Sequence, residues 1–412
     1  MKTNFKKQAL SIVLSLAMVV GVGVTTFASG PKPGVPQPAV AKAKELKIKK
    51  VLNLPTSGVK TPQQTFTFTF TKVSFNGKTD DTEKNQMPEI NKNLTTSYTN
   101  ADNTDQDNTI PGKQVIKLTG NTLEGVTFPK VGQYTYTVAE TAGATEDMTY
   151  SKAQYTVSIF TETKKDKIVV KTIQIKQDKT DEGTTPTGEQ KKTEYNLGTG
   201  DTGVGNNFVF NNNYDKKGGN DNPKKQGDPE DTDKQGFTLK KLVAGENVNN
   251  DEKFEFTLTV TKPEGTHSKD EEFSYKIASA NADTSAETKV KYGTAFKVSL
   301  KHGERLVFGK VLLGSKVKVE ETDAKGYIST VNTDSKLNGT VVTLDQLKAD
   351  ATNQKVIGEE GDNFVTFTNT QQTAVGFILN NLPFIVLVAF AGFGILFFVK
   401  NKKDKDEEEQ RA

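Results

Sequence analysis

Two sets of three residues stand where this chain could do chemistry, and they occur in the same order: Lys50, Glu140 and Asn212, then Lys241, Glu321 and Asn369. Each lies in a run where apolar residues alternate with polar ones. In the first half the runs are Leu46, Ile48, Lys50, Leu52, Leu54; Tyr134, Tyr136, Val138, Glu140; and Phe208, Phe210, Asn212. In the second half they are Phe237, Leu239, Lys241, Val243; Val317, Val319, Glu321; and Val365, Phe367, Asn369. Alternation with period two puts the members of a run on one face of a strand, so amine, carboxyl and amide all point inward. A lone buried amine or carboxylate is costly, and proteins place such groups inside when they are paired or reactive.

Three readings are open. The strands end there and the polar groups reach solvent at the rim; or Lys and Glu form a buried ion pair bridged to the amide; or the groups react. In the third, burial disfavours both charged forms, so Lys sheds its proton more easily and Glu keeps its own. A neutral amine is a nucleophile, and a protonated Glu can polarise the Asn carbonyl and shuttle protons as ammonia leaves. The product is a Lys–Asn isopeptide bond between the first and last strands. The rim reading suits any one residue; it suits two matching sets poorly.

These groups must be positioned by strands. Phe66, Phe68 and Phe70 alternate with Thr, and Phe254, Phe256, Leu258 and Val260 repeat the pattern, with Gly, Pro, Asn and Asp clusters between runs. Short period-two runs of this kind predict antiparallel β-sandwiches, and Thr on a wet face explains a hydrophobic content of only 33% in 412 residues. The segment 215–235 holds no apolar residue and reads as a linker. It divides the chain into domains at 44–214 and 236–371, after a Pro-rich leader over 29–43.

Composition excludes several functions. Lys and Arg number 54 against 51 Asp and Glu, a net charge of +3 with no dominant basic block, so nucleic acid is not an expected partner. Cys is absent, and the two His, His267 and His302, lie far apart, which removes disulfides, Cys/His zinc sites and most imidazole chemistry. Gly198 to Gly203 fits a GxGxxG spacing, but no helix is expected after it. Asp102, Asp105 and Asp107 lack the Gly and closing Glu of a calcium loop. No cofactor and no metal are expected.

The ends give an address. A basic start (Lys2, Lys6, Lys7), an apolar run and small residues to Ala28 predict a secretory signal over 1–28. Phe377 to Val399 is long enough to span a bilayer, with Lys400, Lys402, Lys403 and Lys405 behind it. With the pentapeptide Gln372, Thr373, Ala374, Val375, Gly376, this end resembles the cell-wall sorting signal of Gram-positive surface proteins, though Val375 stands where Thr is usual. The sorting signal is read as 372–412, with a charged tail over 400–412.

The segments LKIKKVLNL, GQYTYTVAETAGATEDMTYSKAQYTVSI and NNFVFNNNY resemble the isopeptide-linkage domain of streptococcal-type pilins. FTLKKLVAG, LLGSKVKVEET and NFVTFTN are similar to a second copy, and VEETDAKGY resembles the pilin E-box centred on Glu321. The resemblance implies an all-β protein of two tandem Ig-like, CnaB-type sandwiches, each locked by one autocatalytic bond: Lys50 to Asn212 with Glu140, and Lys241 to Asn369 with Glu321. It further implies a pilus backbone subunit cut before Gly376 by a sortase, linked to neighbouring pilin subunits or peptidoglycan, and supporting adhesion to a host surface ligand. Its only catalysis would be on itself, once. The relatives join subunits through a lysine shortly before the first domain's Asn, but 193–210 holds no lysine, so Lys191 and Lys192 in GEQKKTEY are the candidates. A non-polymerised wall- or membrane-anchored adhesin is the main alternative, and a secreted hydrolase on a sandwich scaffold a more distant one.

Overall fold

The computed structural model describes residues 39–40, 44–102, 112–188, 190–221, 223, 236–246, 248–279, 285–349 and 355–371. The signal segment 1–28, the pentapeptide 372–376 and the apolar span 377–399 lie outside them. Among the described residues no helix is long and apolar enough to cross a membrane.

Both domains are β-sandwiches, as the alternation predicts. In the first, one sheet runs in the order Thr193–Glu194, Lys167–Lys179, Gln154–Lys164, Gln133–Glu140, Gln64–Phe75, Thr95–Tyr98. The facing sheet runs Lys113–Leu118, Lys49–Leu54, Val209–Tyr214, Met148–Thr149. The strand Gln64–Phe75 shows why the sequence folds this way. Its Phe66, Phe68 and Phe70 are buried while the intervening Thr residues face water, and β-branched Thr suits an extended backbone.

The second domain repeats the plan. Its larger sheet runs Thr288–Lys291, Glu272–Ala278, Arg305–Phe308, Thr238–Ala244, Phe364–Gln371, Lys336–Leu337, Thr340–Val341, with Tyr327–Val331 also paired to Phe364–Gln371. Phe296–Leu300, Phe254–Thr261 and Lys316–Asp323 form the facing sheet. The short helices Asp81–Asn85 and Leu344–Lys348 are the only α-helices among the described residues.

In each domain the opening and closing strands are parallel neighbours, although the other pairings are antiparallel. Lys49–Leu54 lies beside Val209–Tyr214, and Thr238–Ala244 beside Phe364–Gln371. Residues far apart in sequence therefore come side by side at the two ends of each domain, and this pairing creates the site.

The domains meet along a seam. One apolar cluster includes Leu52, Leu54, Val59 and Tyr214 of the first together with Phe237, Val311 and Ile357 of the second. Gly58, at φ +78°, approaches so closely that a Cβ there would lie 2.6 Å from the Gly314 amide nitrogen. The polar stretch expected as a linker from residue 215 is held at its start. Asp215 accepts from Thr266 and from the His267 amide, Lys216 pairs with Glu359, and Lys217–Gly218 pairs with Val311–Leu312. Its charges find partners on the second domain, an outcome that composition alone does not reveal.

Candidate functional site

Register decides which residues meet. In the first domain Lys50 is paired with Phe210 and Leu52 with Asn212. Lys50 and Asn212 thus share a face, offset by two residues, or about 6.6 Å of strand rise, a span that a lysine side chain can cover. Glu140 is the last residue of a strand in the facing sheet, paired with Phe68, and its side chain crosses the core to both groups.

Lys50 Nζ lies 2.6 Å from Glu140 Oε2, and Asn212 Nδ2 donates to Glu140 Oε1 at 2.6 Å. The side chains of Lys50 and Glu140 are fully buried, as is Asn212. The Phe66 ring lies beneath the amine, its centroid 4.6 Å away. Asn212 Oδ1 accepts from the backbone N–H of Ser151 at 2.7 Å.

Burial dominates the electrostatics. It pulls the Lys50 amine down to about 8 against the opposing pull of Glu140, and it raises the Glu140 carboxyl against that of Lys50. Both shifts favour neutral amine beside neutral acid. The rim reading fails for Lys50, Glu140 and Asn212; what remains is a buried pair bridged to an amide, or a site arranged to react.

The second domain reproduces this arrangement. Lys241 is paired with Phe367 and Val243 with Asn369, the same two-residue offset. Glu321 is paired with Phe256, the counterpart of Phe68. Lys241 Nζ donates to Glu321 Oε1 at 2.8 Å, and Asn369 Nδ2 donates to the same oxygen at 2.7 Å. Lys241 and Asn369 are fully buried, and Phe254 lies 4.5 Å from the amine. Burial lowers the Lys241 pKa, with Glu321 opposing.

All six residues singled out in the sequence are thus brought together in two clusters. One detail is corrected. The sequence reading has Glu polarising the Asn carbonyl, but each Glu contacts the amide nitrogen, and in the first domain the carbonyl is held by Ser151.

Sequence reasoning missed three contributors. Ser151 acts through its backbone N–H, which leaves no side-chain signal. Asp181, in a turn, accepts from the Ser151 hydroxyl. Ser329 donates its hydroxyl to Glu321 Oε2; it lies within an alternating strand, but nothing in the sequence marks it out from other Ser and Thr residues.

Lys191 and Lys192 are both exposed, just before the strand Thr193–Glu194. Lys192 Nζ donates to Ser158 Oγ at 3.1 Å, and desolvation, aided by the charge of Lys176, lowers its pKa. Gln372, Thr373, Ala374, Val375 and Gly376 lie outside the described residues. Asp102, weighed as a cation ligand, pairs with Lys117 at 2.7 Å, while Asp105 and Asp107 lie outside the described residues. Among the described residues no group of acidic or His side chains could hold a metal ion. His302 accepts from the Val243 amide at 2.9 Å, a structural contact.

Residues 46–215 match the family described as Spy0128-like isopeptide containing domain, and residues 235–371 match a domain of unknown function, DUF7601. The match over 46–215 covers the segment whose sequence resembles an isopeptide-linkage domain. The chain is similar to a solved major pilin of Streptococcus pyogenes, with 23% identity over 80% of this chain and 99% of that one, and a TM-score of 0.31. Another major pilin structure from that organism shows 20% identity over 79% and 98%, with a TM-score of 0.31. A pilus-presented adhesin shows 16% identity over 49% and 36%, with a TM-score of 0.22. No curated protein matches this chain.

Proposed function

We propose that this protein is a structural subunit of a Gram-positive surface pilus, exported, joined to its neighbours or to the cell wall by a sortase, and locked in each domain by a self-made Lys–Asn isopeptide bond. The single observation that carries this reading is the double occurrence of a buried Lys, Glu and Asn cluster at one register offset between the opening and closing strands. A structural ion pair would not require an amide in both copies.

The chemistry closes on itself. Neutral Lys50 Nζ attacks Asn212 Cγ, the new N–C bond forms, and the carbonyl pair moves onto Oδ1 beside the Ser151 N–H. Glu140 takes a proton from Nζ through one oxygen and returns its own to Nδ2 from the other. The Cγ–Nδ2 bond breaks, ammonia leaves, and Glu140 ends protonated as it began. Lys241, Glu321 and Asn369 follow the same sequence in the second domain. No external reagent is consumed, and nothing turns over a second time.

Accurate mass of the purified exported chain tests the bonds: it should fall short of the sequence mass by two ammonias. A full sequence mass would refute the cross-links. For assembly, Lys192 is the preferred acceptor lysine, because its lowered pKa makes the neutral nucleophilic amine easier to reach. Replacing Lys191 and Lys192 by Arg should abolish high-mass ladders in cells carrying the partner sortase. Ladders that persist would move the acceptor elsewhere, and a single wall-linked band in wild type would favour the adhesin.

A further inference from the structure

The carbonyl of Asn212 is held by a device that has no counterpart among the described residues of the second domain. Ser151 N–H donates to Asn212 Oδ1 at 2.7 Å, and the Ser151 hydroxyl is tied to Asp181 Oδ1. Asp181 also grips the residue beside Asn212: its Oδ1 accepts from the Asn211 amide at 2.9 Å and its Oδ2 from Asn211 Nδ2 at 2.8 Å. The Asp181 backbone carbonyl accepts from Lys152 N–H at 2.9 Å. Asp181 itself is fixed by a tight turn, in which Thr180 N–H donates to the Thr184 carbonyl and Gly183 N–H to the Thr180 carbonyl. One carboxylate thus joins the residue carrying the N–H donor to the residue next to the reacting amide.

In the second domain Asn369 Oδ1 is buried and has no hydrogen-bond partner among the described residues. The extra contact there goes to the carboxylate instead, from the Ser329 hydroxyl to Glu321 Oε2.

We propose that the Ser151 backbone N–H is the oxyanion donor for the first domain's cross-link, and that Asp181 is the positioning residue that holds it against Asn212. This rests on the cross-link reading given above. When Lys50 attacks, negative charge develops on Oδ1, and a donor already in place stabilises it without reorganisation. The second domain must form the same intermediate without such a donor. The two bonds therefore form in order, first domain before second.

The test uses the full chain made by timed cell-free synthesis, with samples digested and the linked Lys50–Asn212 and Lys241–Asn369 peptides quantified by mass spectrometry. In wild type the first should accumulate before the second. In Asp181→Ala the first should slow by roughly tenfold or more, while the second keeps its rate, because a misplaced donor forfeits much of its effect. Asp181→Asn should restore most of the rate, since its carboxamide oxygen still accepts from Ser151 and Asn211. Ser151→Ala retains the backbone donor but cuts its tie to Asp181, so it should also slow the first bond; it serves where Asp181→Ala does not fold.

A wild-type rate for the first bond in both Asp181→Ala and Ser151→Ala would overturn the proposal, as would equal slowing of both bonds, which reports folding alone. Failure of Asp181→Asn to restore the rate would also overturn it. If wild type yields neither linked peptide, the cross-link reading itself falls, a result distinct from linked peptides that form at unaltered rates in the variants.

Discussion

The two domains carry the same buried Lys, Glu and Asn on the same scaffold and differ in what surrounds them. In both, the lysine sits opposite a Phe of the closing strand, the asparagine lies two residues further on, and the glutamate sits opposite a Phe of the facing sheet. The divergence begins one contact away. Glu140 divides its oxygens between Lys50 and Asn212, whereas Glu321 offers one oxygen to both Lys241 and Asn369 and the other to Ser329. Strand register therefore sets which groups meet, and it is the same in both copies. The neighbouring segments set how each group is held, a loop at Ser151 and a strand at Ser329, and they are not the same.

The sharpest way to break this equivalence is to remove each glutamate in turn. Glu140→Ala should leave Lys50 and Asn212 unjoined and the second domain linked; Glu321→Ala should do the reverse. Each variant should retain one ammonia relative to wild type. Rates of bond formation should drop by at least about a hundredfold, the lower end of what a positioned acid–base group contributes. Complete linkage in either variant would show that its glutamate is a bystander.

A smaller effect is shared by both domains and comes from the chain that each bond would enclose. The proposed links would close the chain from Lys50 to Asn212 and from Lys241 to Asn369. Loop-closure entropy, by the relation used for disulfides, gives on the order of 5 kcal/mol for each. Force acts more selectively, because opening and closing strands are parallel neighbours and a bond between them takes the load before the sheet does. In single-molecule pulling, wild-type domains should not extend where Lys50→Ala and Lys241→Ala variants do, each in its own domain. Equal extension of linked and unlinked domains would defeat the mechanical role.

What the sequence made legible follows the same division. Alternation located both sandwiches and placed the six Lys, Glu and Asn residues on core faces, because period two maps sequence directly onto side-chain direction. It could not reveal that opening and closing strands pair in parallel, since pairing partners far apart leave no local pattern. Ser151 was invisible because it contributes a backbone N–H, and Asp181 because it sits in a turn with no periodicity. The linker is instructive in another way. Lack of apolar residues suggested a linker, but Asp215, Lys216 and Lys217 dock onto the second domain through charge and backbone pairing, which hydrophobic pattern cannot detect.

The smallest effect is a titration that should exist only while the bond is missing. An Asn212→Ala chain keeps Lys50 and Glu140 but cannot form the first link. Burial lowers the folded-state pKa of Lys50 to about 8, below the ordinary 10.5, so between these values the unfolded chain binds more protons than the folded one. Stability must then rise with pH through that window, because raising the pH removes the charge that burial penalises. Glu140, raised by burial, acts in the opposite sense from the ordinary carboxyl range upward, so its contribution declines as pH rises. Tyr98 and Tyr136, also raised by burial, oppose the lysine limb near its upper end. Both tyrosines are present in wild type, so denaturant unfolding of wild type and variant at matched pH separates their contribution from that of Lys50. The variant should gain stability relative to wild type from about pH 8 upward. On the cross-link proposal the wild-type Lys50 nitrogen is an amide and has no proton to lose in this range. If wild type shows the same limb as the variant, the Lys50 amine is still free in wild type, and the first cross-link is absent.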